Sequence, residues 1–334
     1  MEISFGGKLR NLSMSLRATT VILAAGLIGA TTMSVAYADP KNEADRILES
    51  ITAAAPDLVA NVATTPEVNL RGASADDPRL DKREGAKIGL PSAKNRSTRG
   101  IKLTEKIQAT DYGDDSVLVP LRQQDGSLAV LSVAKSAKAP TDISYELDIP
   151  VGGTAKLTEN QTVLINTADG SFHSVVAPPW AKDANGRSVK TSYEIKGSTL
   201  TQKVEHRAPG VEYPVVADPW AGIDLISYFQ WTGGGDTWAI HVHVTPMAGI
   251  LWASGPQGPL NLNNAGWAEL VSKAGSYVNR PTFGQQFFCH AYYAPSASGI
   301  FGGNTTWDLE HSRGTTSNPL AVWEHQCNWG WYPG

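Results

Sequence analysis

Cysteine is scarce in this chain, because only Cys289 and Cys327 occur among 334 residues. The sequence also contains no HExxH, paired CxxC or Gly-x-Ser-x-Gly motif, so no common metalloprotease, zinc-ribbon or serine-hydrolase signature is present. Basic residues are not in excess, since 28 Lys and Arg stand against 32 Asp and Glu. The net charge of −4 argues against nucleic-acid binding and against a polybasic membrane binder. A hydrophobic content of 41% excludes a chain that is disordered throughout.

The N-terminus has only a short apolar run, from Val21 to Ala30, which is too short to span a membrane comfortably. Basic residues precede this run, and the small-x-small motif Ala36-Tyr37-Ala38 follows it directly before Asp39. Together these features predict a secretory signal peptide over residues 1–38, cleaved between Ala38 and Asp39. The alternative is an uncleaved membrane anchor. We expect a secreted, extracellular protein without a membrane anchor after cleavage.

Export also bears on the two cysteines. An oxidising compartment favours a disulfide between Cys289 and Cys327 over a pair of free thiols. A catalytic thiol would need surroundings that lower its pKa, and two isolated cysteines do not demonstrate such surroundings.

The rest of the chain divides into three regions by composition. Residues 39–100 contain no Phe, Trp or Tyr and hold 20 charged side chains, which predicts one helix from Asn42 to Ala55 and then a flexible linker. Residues 101–219 alternate β-prone runs with turn signals such as Asp125-Gly126, which predicts an all-β, sandwich-like module. Residues 220–334 hold nine of the ten Trp but only nine charged side chains.

The Trp-rich region predicts a small α+β domain of antiparallel sheet with one helix and a disulfide. The whole chain is therefore expected to be mostly β. The predicted elements of this region are strands at Leu225–Trp231, Thr237–Thr245, Phe283–Tyr293 and Thr305–Glu310, and a helix at Asn264–Ala274 that Asn264 caps and Gly275 ends.

Three sequence features of this region resemble those of a known protein family. They are Gln286-Phe287-Phe288-Cys289-His290, then Trp307-Asp308-Leu309-Glu310 with Arg313 nearby, and the late Cys327. Residues 221–330 thereby resemble the actinobacterial secreted family called domain of unknown function 2599. The resemblance implies an exported actinobacterial protein and a Cys289–Cys327 bridge. It implies no activity.

Two histidines occupy one face of a predicted strand. In Thr237–Thr245 a period of two places His241 and His243 opposite the apolar face. Such a pair can bind one metal ion if neighbouring strands add ligands, and His290 and Glu310 are the candidates. This predicts a zinc or other divalent transition-metal site in a secreted hydrolase or toxin-like effector. The alternative is an ordinary polar strand face without a cofactor.

The acidic pair Asp308 and Glu310 alternates onto one strand face, as the two carboxylates of a glycosidase do. The alternative is that one carboxylate pairs with Arg313 and the other with water. The sequence leaves open whether the protein is an enzyme.

Tryptophan is the most unusual component of the C-terminal region. We expect Trp323, Trp329 and Trp331 to be partly exposed, where indole rings stack on sugars or anchor protein contacts. The alternative is that these rings add bulk to a charge-poor core. The leading hypothesis is a secreted or cell-envelope protein whose C-terminal region binds a cell-wall polymer or an extracellular protein, without nucleic acid or cofactor.

Overall fold

The computed structural model of the chain describes residues 40–63, 87–90, 98–297, 306–318 and 327. The strands are β1 Ile88–Gly89, β2 Arg99–Lys102, β3 Gln108–Asp111, β4 Ser116–Arg122, β5 Leu128–Ala134, β6 Asp142–Leu147, β7 Thr154–Leu157, β8 Val163–Asn166, β9 Phe172–Val176, β10 Ala181–Lys182, β11 Thr191–Lys196, β12 Thr199–Val204, β13 Val215–Ala217, β14 Trp220–Gly222, β15 Ile226–Thr232, β16 Ala239–Val244 and β17 Thr306–Glu310. The helices are α1 Pro40–Ala54, α2 Pro56–Ala60, α3 Pro246–Trp252, α4 Gly258–Ala274 and α5 Pro281–Ala297. The predicted mostly β fold class is confirmed.

Two antiparallel sheets fill the central region. The larger has ten strands, of which eight follow the order β2-β3-β4-β5-β14-β9-β8-β7, while β13 attaches to β5 and β10 to β13. The smaller sheet has the order β1-β6-β12-β11. Asp125-Gly126 lies at a turn between β4 and β5, as predicted, and Lys196-Gly197 lies at the turn between β11 and β12. Gly126 and Gly197 have φ values of 81° and 62°. Glycine fits these turns because it adopts positive φ without a Cβ penalty.

The two sheets share one hydrophobic core, as a sandwich requires. Tyr145 and Leu200 from the four-stranded sheet are fully buried in the same cluster as Val130 and Val163 from the ten-stranded sheet. Each of these residues follows the alternation of a strand that buries one face.

Helix α1 covers the other face of the larger sheet. Ile47 and Ile51, one helical turn apart, are buried against strand residues that include Val117, Val119 and Leu131. The helix ends before Pro56, as its sequence predicts. It contributes to the core of the β region, a role that its separate composition did not indicate.

Strand β1 lies within the predicted linker, and strand β2 begins at its end and continues to Lys102. β1 pairs with β6 and β2 pairs with β3, both antiparallel. Strands of two and four residues show no clear periodicity of their own, so their pairing depends on the sheets that they join.

In the C-terminal region, three helices pack on one face of a three-stranded antiparallel sheet in the order β15-β16-β17. The shared core includes Ile240, Phe287, Trp307 and Leu309, all fully buried. It also includes Val175 from β9 of the larger sheet. The region therefore holds more helix than the single helix that the sequence predicted.

The predicted strand Phe283–Tyr293 is wrong, because these residues form most of helix α5. Aromatic residues favour strands, but the buried positions Phe283, Phe287 and Ala291 recur every four residues, which is the spacing of a helix face. His290 consequently lies on a helix rather than on a second strand.

Helix α4 extends beyond its prediction. It begins at Gly258 with a proline in its first turn, so Asn264 lies inside the helix rather than at its cap. Gly275 ends the helix as predicted, with φ of 82°, and its N–H donates to the carbonyl of Val271. Gly266 allows α4 to approach α5, because a Cβ there would lie 2.9 Å from Cζ of Phe287.

Strand β14 begins at Trp220, just after the boundary that composition predicts at residue 219. It nevertheless pairs with β5 and β9 of the larger sheet. Within the described ranges, no helix combines the length and the apolar character needed to cross a membrane. The predicted signal peptide, including Ala38 and Asp39, lies outside the described residues.

Candidate functional site

The three-stranded sheet of the C-terminal region has two faces of opposite character. Ile240, Val242 and Trp307 point to the inner face and are buried against the helices. The alternate residues point to the outer face, as a period of two requires. They are Tyr228, Gln230 and Thr232 on β15, Ala239, His241 and His243 on β16, and Thr306, Asp308 and Glu310 on β17.

His241 lies at the centre of the outer face and bonds to both neighbouring strands. Its Nδ1 lies 2.6 Å from Oδ1 of Asp308, the residue directly opposite it on β17. Its Nε2 lies 2.6 Å from Oγ1 of Thr232, diagonally across on β15. A carboxylate only accepts hydrogen bonds, so a neutral His241 donates Nδ1–H to Asp308 and accepts the threonine hydroxyl at Nε2.

His243 has different neighbours on the same face. Its ring stacks on Tyr228 with centroids 3.9 Å apart and planes 14° apart. Its Nδ1 lies 3.4 Å from Oγ1 of Thr306, a longer contact than the one between His241 and Thr232. Partial burial lowers the pKa of His243, and the neighbouring charge of His241 lowers it further.

His290 lies on the inner side of the sheet. Its ring stacks parallel to the buried Trp307 with centroids 5.8 Å apart, and its Nε2 lies 3.3 Å from the backbone oxygen of Asp308. Burial lowers the pKa of His290 to about 4, because the charged ring would lose its hydration. Trp307 and Asp308 are consecutive strand residues, so their side chains point to opposite faces.

The structure therefore brings His241 and His243 to one face but places His290 behind the sheet. Among the described residues, no three His, Cys, Asp or Glu side chains come together in a way that could hold a metal ion. The metal site predicted from His241, His243 and His290 lacks the convergence that such a site requires.

The two carboxylates of β17 have separate partners. Glu310 accepts a hydrogen bond of 2.8 Å from Nε of Arg313, as one of the two sequence interpretations proposed. Asp308 bonds to His241 instead of bonding only to water. This second partner was not anticipated from the spacing of Asp308 and Glu310.

The predicted disulfide is confirmed between Cys289 and Cys327. Cys289 lies on α5 and is fully buried, and the two Cα atoms are 5.5 Å apart. The bond closes a loop over a sequence separation of 38, for which chain-entropy reasoning gives a stabilisation of roughly 3–4 kcal/mol.

The tryptophans of this region have several environments. Trp307 is fully buried, while Trp252 and Trp267 pack partly buried against the same core. These three rings add bulk to the core, as one of the two sequence interpretations proposed. Trp231 differs, because 41% of its surface is exposed. The predicted ligand-stacking residues Trp323, Trp329 and Trp331 lie outside the described residues.

Trp231 belongs to a group that we call the aromatic patch, formed by Trp231, Trp238, Arg280 and His311. Trp231 and Arg280 are exposed, while Trp238 and His311 are partly buried. The centroids of the two indoles are 5.1 Å apart. The imidazole of His311 stacks on Trp238 with centroids 4.7 Å apart, and Cζ of Arg280 lies 5.2 Å from the centroid of the same ring. Arg280 also donates from Nη1 to Nε2 of His311 over 2.9 Å. The patch thus combines open aromatic surface with a cation.

Sequence reasoning did not single out Arg280, His311 or Thr232. Trp231 and Trp238 flank the glycine-rich turn between β15 and β16, so their proximity follows from the hairpin that joins the two predicted strands. Arg280 directly precedes α5 and His311 directly follows β17, and only the tertiary fold brings them to the hairpin.

Residues 226–330 match a family. Its description is "Protein of unknown function (DUF2599)". The match supports the resemblance for the C-terminal region and spans the sheet, its helices and both cysteines. No curated protein and no solved structure matches the chain.

Proposed function

We propose that this is a secreted or cell-envelope protein whose C-terminal region binds a cell-wall glycan at the aromatic patch. The observation that carries the proposal is the exposure of Trp231 beside Trp238, with Arg280 over the second ring. A ring that is 41% exposed in a region with few charges is available to a ligand.

The composition of the patch favours a glycan over a protein partner. Indole faces stack on the apolar faces of sugar rings, and Trp238 is held in place by Phe283, whose ring lies edge-on at 5.1 Å. Arg280 is exposed and presents several N–H donors, which suit sugar hydroxyls or the acidic groups of an anionic polymer. A flat protein interface would instead favour a larger contiguous apolar surface.

Two features support an extracellular location for this activity. The N-terminal sequence has the three parts of a secretory signal peptide, and the confirmed disulfide suits an oxidising compartment. The actinobacterial cell envelope is the setting that the family resemblance suggests for such a protein.

The test is sedimentation of the full chain with purified actinobacterial cell-wall polysaccharide. We expect the wild type to sediment with the polymer. Trp231→Ala should lose at least about tenfold in affinity, because it removes the central aromatic anchor. Arg280→Gln should weaken binding by several-fold. Tyr292→Ala is the matched control, because Tyr292 is 37% exposed on α5 and contacts Phe288 and Tyr293 instead of the patch.

Periodate treatment of the polymer, which cleaves its vicinal diols, identifies the ligand class. Loss of sedimentation after treatment supports a glycan ligand. Equal sedimentation of the wild type and of Trp231→Ala contradicts the proposal, as does binding that survives periodate and depends on wall protein.

A further inference from the structure

The outer face of the small sheet contains a second arrangement, separate from the aromatic patch. Thr232, His241 and Asp308 form a continuous chain of hydrogen bonds, with 2.6 Å from Oγ1 to Nε2 and 2.6 Å from Nδ1 to Oδ1. The order hydroxyl, imidazole, carboxylate is that of a nucleophile, its general base and the group that orients the base. From this geometry we infer that Thr232, His241 and Asp308 form a catalytic centre that hydrolyses carboxylic esters of short acyl groups.

The strand register explains why these three side chains meet. His241 and Asp308 are direct cross-strand partners in the β16–β17 pair, so their side chains leave the same face at the same height. Thr232 lies opposite Ala239, two residues before His241, and a diagonal contact brings its hydroxyl to the imidazole. Since the centre rests on three paired strands, its geometry does not depend on a loop.

The nucleophile is accessible from solvent. Thr232 is exposed, and the side chains of His241 and Asp308 are 27% and 43% exposed. Gly233, Gly234 and Gly235 follow Thr232 directly, and a Cβ on Gly234 or Gly235 would meet no atom within 4 Å. The space beside Gly234 and Gly235 admits a substrate carbonyl, and their consecutive backbone N–H groups are the donors that the inference assigns to its oxyanion.

The second histidine of the face provides an internal comparison. His243 contacts Thr306 at 3.4 Å, and its ring stacks on Tyr228 instead of bonding a carboxylate. A threonine and a histidine are therefore present twice on this face, but only the pair at His241 has the short hydroxyl contact and the carboxylate. This difference assigns the chemistry to Thr232.

The reaction needs only these groups, an ester and water. His241 Nε2 takes the hydroxyl proton of Thr232 while Oγ1 attacks the ester carbon and its carbonyl oxygen becomes the oxyanion. The ester C–O bond then breaks, and His241 returns the proton to the leaving alcohol. A water molecule gives a proton to His241 and attacks the acyl carbon. The bond between this carbon and Oγ1 of Thr232 then breaks, and His241 returns the proton to Oγ1, which releases the carboxylic acid and restores the threonine hydroxyl.

The open position of the centre limits the acyl group. Thr232 is exposed on the sheet face, and such an open position suits acetyl and similar small groups better than a long acyl chain, which needs an enclosed apolar cleft. This inference does not depend on glycan binding at the aromatic patch.

The test measures hydrolysis of p-nitrophenyl acetate by the full chain. We expect Thr232→Ala and His241→Gln to reduce the rate at least about a hundredfold, and Asp308→Asn to reduce it by a smaller factor. Thr232→Ser should keep activity, because it retains the hydroxyl. Thr306→Ala and His243→Gln are the matched controls on the same face and should keep the wild-type rate. Circular dichroism of each variant confirms that it is folded.

A second measurement identifies the nucleophile directly. Acid quenching during turnover, followed by peptide mass spectrometry, should find one acetyl group on the peptide that contains Thr232. Equal rates for the wild type and Thr232→Ala would overturn the inference. Acetylation found only on histidine or lysine would also overturn it.

Discussion

The two faces of the C-terminal sheet each present histidine, in opposite surroundings. On the inner face, His290 is buried against Trp307 and its pKa falls to about 4. On the outer face, His241 is partly exposed between Asp308 and Thr232. The same β17 strand provides both environments, because Trp307 and Asp308 alternate across it. Residue type alone therefore does not indicate a functional histidine, whereas the face on which it lies does.

The inner and outer faces of the sheet contribute differently to stability and to function. Inner-face side chains contribute to stability through burial and packing, so substitutions there should change the free energy of unfolding substantially. Outer-face side chains are solvated, so substitutions there should change stability little and alter chemistry instead. Trp231 shares the inner face with Ile240, its cross-strand partner, but it is 41% exposed and is therefore open to a ligand.

The largest effect on stability is expected from Trp307→Ala. Trp307 is fully buried, with its ring edge-on to Phe287 at 5.2 Å. Its removal leaves a large cavity, and we expect the free energy of unfolding to fall by about 3–5 kcal/mol. Denaturant titration followed by circular dichroism measures the change. Thr306→Ala, the exposed neighbour on the same strand, is the control and should change stability by less than about 0.5 kcal/mol.

A smaller effect is expected from acid at His290. The folded protein holds the pKa of His290 at about 4, below the ordinary value of 6.5 for an unfolded chain. Between these pH values the unfolded state binds more protons, so stability is present above pH 6.5 and is lost as the pH falls towards 4. The contribution of His290 to this loss is about 3 kcal/mol.

The variant His290→Gln isolates this contribution, because glutamine does not titrate and keeps an N–H donor for the carbonyl of Asp308. Its free energy of unfolding, measured at several pH values, should decline less steeply than that of the wild type. Parallel curves for the two proteins would show that His290 is not buried as a neutral ring.

The smallest effect is expected from the pair His241 and Asp308. The Asp308 side chain is 43% exposed, so water screens the interaction. A double-mutant cycle with alanine at both positions should give a coupling energy below about 1 kcal/mol. A coupling of several kcal/mol would mean that the outer face is covered in the folded protein, which would remove the distinction between the two faces.

Much of this sheet could be predicted from the sequence, because apolar and polar residues alternate clearly in β16 and β17. The pattern in Thr237–Thr245 assigned Ile240 and Val242 to the apolar face and His241 and His243 to the other, and the structure has the same assignment. Pairing across strands could not be predicted, because alternation fixes the face of a residue but not its register. The contacts of His241 with Thr232 and Asp308 depend on that register.

Helix α5 shows where local preference misleads. Phe287, Phe288, Tyr292 and Tyr293 lie in a run whose residue types favour a strand, and Pro281 at its start is the signal for a helix N-terminus. Tertiary packing against Trp307 and α4 decides the outcome. Because the sequence predicts a strand where α5 lies, it also placed His290 in the predicted metal site, whereas His290 lies on the inner side of the sheet.

We propose that the C-terminal region binds a glycan at the aromatic patch. Hydrogen–deuterium exchange of the full chain, with and without soluble cell-wall polysaccharide, is the decisive measurement. We expect slower exchange at residues 229–240 and 276–284, which contain Trp231, Trp238 and Arg280, and no change over β4 and β5. Unchanged exchange at the patch, or protection centred on β4 and β5, would contradict the claim.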